Sequence, residues 1–178
     1  MYDLSNFVQE LEHFVTSAHS YREIIDAGAN SMRNLLSNRE LISNDFINGL
    51  LSGTERPLVY KSDKNKFIVQ VFVWESGSET PVHDHDTWGL MGIYQNKLRV
   101  SEYDLKPIQN SGSFSLDETQ NYIASEGDVC YVLPPHEEIH KISNNSGSLS
   151  ISIHVYGKTI DEYNIYDLAN GQVIHTTV

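Results

Sequence analysis

The hydrophobic spacing of this 178-residue chain changes period once, between residues 52 and 57, and that change restricts the folds open to it. Before it, Leu4, Phe7, Val8, Leu11, Phe14 and Val15 recur at intervals of three and four, one apolar stripe on a helix. Ser20-x-x-Glu23 reads as a capping box that opens a second helix, buried through Ile24, Ile25, Met32, Leu35 and Leu36 and weakened at Gly28. Ser43 or Asn44 caps a short third helix carrying Phe46, Ile47, Leu50 and Leu51. After it, the period is two. Strands are predicted over 57–61, 67–74, 88–94, 98–105, 122–125, 128–133, 139–143, 149–156, 164–168 and 173–177, with turn residues between them. The first two form a hairpin in this reading. The polar stretch 107–120 reads as a loop or an irregular hairpin. Many short strands at this spacing predict a mainly β chain folded as an antiparallel sandwich or barrel. The expectation is one domain over 1–178: N-terminal helices over 1–52 covering one face or edge of a β-barrel over 57–178.

Charge and cysteine usage narrow the partners. A net charge of −12 with no Lys/Arg cluster repels a polyanion, so no nucleic acid is expected. No apolar run is long enough to span a bilayer, and no basic stretch followed by an apolar run opens the chain, so no membrane partner and a cytoplasmic location are expected. Cys130 is the single cysteine and has no partner for an internal disulfide. Length and composition are compatible with a monomer or a small homo-oligomer.

Chemistry concentrates around Gly77-Ser78-Glu79-Thr80-Pro81-Val82-His83-Asp84-His85. Histidines at i and i+2 on an extended strand leave the same face. Two such imidazoles grip one metal ion if a third ligand arrives from elsewhere, and His140, 55 residues later (140 − 85), is the candidate. Imidazole suits zinc, copper, iron and nickel, so the trio does not choose its metal.

The strand over 149–156 alternates strictly. Ser150, Ser152, His154 and Tyr156 share one face, and Leu149, Ile151, Ile153 and Val155 the other. A barrel strand ordinarily turns its apolar face inward. The alternative is a polar face lining a wet lumen, with the aliphatic face packed under the N-terminal helices. In that arrangement Ser152, His154 and Tyr156 form a hydrogen-bonded line.

Gly77 with His83-x-His85, followed by Gly127, Pro134 and His140, resembles the two motifs of the cupin superfamily, whose double-stranded β-helix (jelly-roll) barrels hold a metal in the lumen. The glutamate that often follows His-x-His in cupins has no counterpart in Asp86-Thr87-Trp88-Gly89-Leu90. Adding Ser152-x-His154-x-Tyr156, the chain resembles the thiol dioxygenases, the cysteine dioxygenase group of cupins. Its wording around Thr80–His85 and Ser150–Gly157 is most similar to the bacterial branch that includes 3-mercaptopropionate dioxygenases.

The resemblance implies Fe(2+) held by His83, His85 and His140, with a small thiol such as cysteine or 3-mercaptopropionate and O2 as the reactants. It implies a sulfinate product and catalytic roles for Tyr156, His154 and Ser152. Other metal-dependent cupin oxygenases or isomerases, and a non-catalytic ligand-binding cupin, are the alternatives. Two departures stand out. The cysteine that cross-links to the tyrosine in mammalian-type enzymes is missing from Thr87-Trp88-Gly89-Leu90-Met91. The arginine a few residues past the tyrosine in the mercaptopropionate type is also missing, leaving Arg56 as the expected carboxylate-binding residue and Lys158 in reserve.

Overall fold

A computed structural model describes residues 2–63, 66–107 and 114–177. Three helices come first: α1 (Leu4–Ser17), α2 (Tyr21–Leu36) and α3 (Asn44–Ser52). Ten strands follow: β1 (Leu58–Lys61), β2 (Ile68–Trp74), β3 (Gly89–Gln95), β4 (Lys97–Pro107), β5 (Phe114–Ser125), β6 (Val129–Val132), β7 (Ile139–Ser143), β8 (Ser150–Tyr156), β9 (Glu162–Asp167) and β10 (Gln172–Thr177). The expected hairpin of the first two strands is present, β1 pairing antiparallel with β2. Of the two readings of the polar stretch, a loop or an irregular hairpin, the second fits: it is strand from Phe114 onward, antiparallel to β4 with a register shift between Glu102 and Tyr103. Its full ladder with β4 supplies the order that its polar composition concealed; residues 108–113 of that stretch lie outside the described residues.

Helix ends follow side-chain capping, with one revision. Ser20 accepts from the Glu23 N–H as expected, but the Glu23 carboxylate takes the His19 N–H and not that of Ser20, so the box closes one residue early. A reciprocal box at α1 had no prediction: Asp3 and Asn6 exchange backbone-to-side-chain bonds of 3.0 and 3.1 Å. Ser43 caps α3, and Gly53, at φ +74, ends it.

The strands form a five-stranded sheet ordered β1-β2-β8-β3-β6 and a three-stranded sheet ordered β5-β4-β7. The extended segment 77–84 completes the second sheet beside β7. Gly77 N–H donates to Asn144 O, Thr80 N–H to Ile142 O, and His83 and His140 exchange a reciprocal backbone pair at 3.0 Å. The chain therefore passes from β2 in one sheet to 77–84 in the other, back to β3, across to β4 and β5, and then alternates through β6, β7 and β8. That alternation is a jelly-roll, the double-stranded β-helix.

The outer face of the five-stranded sheet is aliphatic. Val69, Val71, Leu90, Ile151, Ile153 and Val155 pack with Phe7, Leu11, Ile24, Ile25, Met32 and Leu35 of the helices. Two glycines allow this close approach. A Cβ on Gly28 would stand 2.8 Å from Leu90 Cδ1, and one on Gly92 would stand 2.8 Å from Met32 Cγ. Gly28, read as a weakness of α2, is where the helix meets β3. Inside the barrel, Met91, Ile93, Leu98, Val100, Ala124 and Ile142 fill one end. The other end is left to the histidines.

Candidate metal centre and its cavity

Segment 77–84 is irregular, and the irregularity aims the ligands. Glu79 bridges Ser143 while His83 bridges His140, so four steps on one strand face three on the other. The extra residue makes a local bulge, and Pro81, which has no N–H to offer a ladder, lies within it. The Pro81 carbonyl lies 3.0 Å from His83 Nδ1. A proton on Nδ1 satisfies that carbonyl and leaves the Nε2 lone pair free for a ligand bond.

Asp84, between the two histidines, points the other way. It is buried, and it accepts from the Asn164 N–H (3.0 Å), Asn164 Nδ2 (2.9 Å) and Tyr166 Oη (2.7 Å). The Asp84 N–H donates to Asn164 O, and the Tyr166 N–H donates to Val82 O. The β9–β10 hairpin thus holds the histidine segment from outside while β7 holds it from the side.

The expected trio converges. Ligand nitrogens of His83, His85 and His140 all lie within 4.8 Å of one another, and all three residues are buried. His85 Nε2 and His140 Nε2 are 3.3 Å apart. Two nitrogens each about 2.0–2.1 Å from one ion, at an angle between square and tetrahedral, stand about 2.8–3.4 Å apart, so the gap fits a shared metal. Burial lowers the pKa of His83, and lowers those of His85 and His140 well below the ordinary imidazole value, with repulsion between neighbouring histidines, were they charged, adding to the last two. Three neutral imidazoles whose ring nitrogens converge on one point are a set of donors suited to a metal ion. The chemistry of the donor set leaves the metal's identity open.

Above the cluster lies a cavity of about 360 Å³. Its walls include Phe72, Trp74, Ile142 and Ile160 on the apolar side, and Gln70, Tyr156 and Tyr163 on the polar side. Such a volume holds a small molecule. The polar face of β8 points into the lumen and its aliphatic face into the helix layer, the second of the two arrangements open in the sequence. Ser152 Oγ and His154 Nε2 are 2.8 Å apart, and His154 Nδ1 and Tyr156 Oη are 3.0 Å apart. The Tyr156 ring lies 4.7 Å from that of His85. Burial pushes the His154 pKa down to about 3 and raises that of Tyr156, so both are neutral at physiological pH.

Gly89 is in register with Tyr156, and a Cβ there would come 3.1 Å from the Tyr156 ring. The one cysteine, Cys130, lies on β6 opposite Met91.

The two cations named in the sequence lie elsewhere. Arg56 is exposed in the segment that leads from α3 into β1, and it is not among the residues lining the cavity. Glu55 and Thr54, just before it, are tied back to Gly49 O and keep that segment on the surface. Lys158 pairs with Asp86 at 3.1 Å outside the cavity.

Three contributors had no prediction. Trp74 and Gln70 share the inward face of β2, a period-two signal present in Gln70-Val71-Phe72-Val73-Trp74 but masked by the apolar residues on both faces of that strand. The Asn164–Tyr166 clamp on Asp84 had no signal, because the partners are 80 and 82 residues away.

No helix among the described residues is long and apolar enough to cross a membrane. No model of a known protein family matches the chain. Among solved structures it is similar to a cupin 2 conserved barrel domain protein from Salinispora arenicola, at 14% identity and a TM-score of 0.42 over 59% of this chain and 74% of that one. It is similar also to an uncharacterized conserved protein with a double-stranded β-helix domain from Klebsiella pneumoniae, at 16% identity and a TM-score of 0.42 over 70% and 84%. A third is a sugar phosphate isomerase from a cupin superfamily, from Silicibacter pomeroyi, at 14% identity and a TM-score of 0.43 over 63% and 68%. By its own strand order and side chains, this chain is a double-stranded β-helix with a three-histidine site suited to a metal ion.

Proposed function

We propose that the protein is an iron(II)-dependent thiol dioxygenase that converts a small thiol and O2 into a sulfinic acid, RSH + O2 → RSO2H. The observation that carries this reading is the Ser152–His154–Tyr156 line ending beside three buried imidazoles in a small-molecule cavity. A binding module has no use for a buried phenol anchored through a neutral histidine. A ferrous ion on His83, His85 and His140 would supply the thiolate-binding and oxygen-activating chemistry, since a metal's charge lowers a bound thiol's pKa.

The remaining work falls to this chain's own groups. Phe72, Trp74, Ile142 and Ile160 exclude water from the reacting sulfur, which strengthens every polar contact in the cavity. Tyr156 keeps its hydroxyl at the cavity wall, neutral because burial raises its pKa. Gln70 and Tyr163 are the polar groups available to a substrate's tail. Both oxygen atoms end on sulfur and the thiol proton ends on the sulfinate or in solvent, so no external reductant is needed.

The test is oxygen uptake by iron-loaded protein with cysteine, 3-mercaptopropionate and a thiol lacking a carboxylate, with sulfinate identified by mass spectrometry. One thiol giving stoichiometric sulfinate supports the proposal. No oxygen consumption with any of them removes it.

A further inference from the structure

The hydrogen-bonded line on β8 continues onto β2. Phe72 and Ser152 are opposite each other in the antiparallel pair, and Trp74 Nε1 reaches Ser152 Oγ at 2.8 Å. An indole N–H can only donate. Ser152 is wholly buried, and its hydroxyl has two neighbours, Trp74 Nε1 and His154 Nε2.

Two proton arrangements are conceivable along the line. In one, Ser152 accepts from Trp74 and donates to His154 Nε2, His154 Nδ1–H donates to Tyr156 Oη, and the Tyr156 proton is left to point away from the line. In the other, Tyr156 donates to His154 Nδ1 and His154 Nε2–H donates to Ser152. The serine then receives two donors, and its own proton is stranded in the protein interior with no acceptor. Buried donors without acceptors are strongly disfavoured. Only the first arrangement satisfies every interior donor, because Tyr156 lines the cavity and its proton can meet a bound ligand.

We propose that Trp74 is a positioning residue: its donor-only indole sets the polarity of the Ser152–His154–Tyr156 line, holding the Tyr156 proton toward the three-histidine cavity as a standing hydrogen-bond donor to an electron-rich atom bound there. The identity of that atom, a sulfur or oxygen of the substrate pair, rests on the dioxygenase reading; the polarity of the line does not.

The neutral state of His154 makes the idea measurable, since a neutral imidazole exists as one of two tautomers. Long-range ¹H–¹⁵N correlation spectra of metal-free, ¹⁵N-histidine-labelled protein at neutral pH report which ring nitrogen carries the proton. His154 is expected as a single tautomer protonated on Nδ1 in the wild type. Trp74→Phe removes the donor and keeps an aromatic ring, and is expected to mix the two tautomers. In the iron-loaded enzyme it is expected to lower kcat by roughly 100-fold, the scale of a lost positioned proton donor, with KM little changed.

A wild-type His154 protonated on Nε2 overturns the proposal, and that reading needs no variant to fold. A Trp74→Phe protein whose His154 stays purely Nδ1-protonated also overturns it. Should wild-type enzyme oxidise no thiol while the tautomers behave as stated, the dioxygenase reading falls and the polarity assignment stands.

Discussion

Tyr156 is held by what is missing opposite it. Gly89 faces it in register, and an added Cβ would press on its ring at 3.1 Å, on the Val155 carbonyl at 3.0 Å and on Val132 at 3.0 Å. One of those neighbours is backbone and cannot turn aside. Gly89→Ala is therefore expected to displace the Tyr156 ring and lower kcat by about 10-fold or more while the bound metal stays, measured by turnover and metal analysis on the same sample. His140→Ala should do the reverse. It removes one of three ligands and leaves the line on β8 intact, so metal content should fall from one per chain toward none in elemental analysis, with the fold retained by circular dichroism. His83, His85 and the Ser-His-Tyr line were legible as residue types because each lies in a short, self-contained pattern, and His140 through the second motif that contains it. Trp74 was not, since its partner Ser152 is 78 residues away and only strand pairing brings them together.

Elements transmit constraint to the site through close contacts. Helix α2 rests on β3 at Gly28 and Gly92, where a Cβ would meet Leu90 and Met32 at 2.8 Å. Gly92→Val overfills that interface and is expected to destabilise the protein by about 1–3 kcal/mol, read from the urea midpoint. The β9–β10 hairpin acts on the ligand segment through Asp84, whose two oxygens accept three hydrogen bonds from Asn164 and Tyr166. Asp84→Asn turns an amide NH2 toward at least one of those donors. A loss of about 1–3 kcal/mol is expected, together with weaker metal retention during dialysis against a chelator; unchanged retention would mean that β7 alone holds the histidines. The extent of β5 was hidden for a related reason. Its exposed face gives no apolar alternation, and the partner strand β4 supplies the order that composition withheld.

For the molecule as a whole, four buried histidines make stability depend on acidity. His154 has its pKa pushed from 6.5 down to about 3 by burial, and those of His83, His85 and His140 are lowered in the same direction. Between those two values the unfolded chain binds a proton at this residue that the folded chain refuses. The contribution is therefore complete above about pH 6.5 and is lost as pH falls, at about 1.4 kcal/mol per pH unit for a single such group. The urea midpoint of metal-free protein is expected to drop steadily from about pH 7 to about pH 4, and His154→Gln, which cannot take the proton, should show a shallower slope. An equal slope in the two proteins would mean that His154 is not buried neutral.

Local pattern determined a great deal by itself: three amphipathic helices, two of them with their N-terminal caps, a succession of short strands, two histidines on one segment and a polar face on β8. These depend on periods of 3.6 and 2 and on capping residues within a few positions of one another, so the chain carries them without knowledge of its fold. Tertiary structure alone decided which face of β8 looks into the lumen, that Arg56 lies on the surface and Gln70 in the cavity wall, and that Trp74 and Asp84 support the site. Those outcomes depend on which strands become neighbours. Strand pairing is a long-range choice settled by the burial of whole faces, and no short stretch of sequence encodes it.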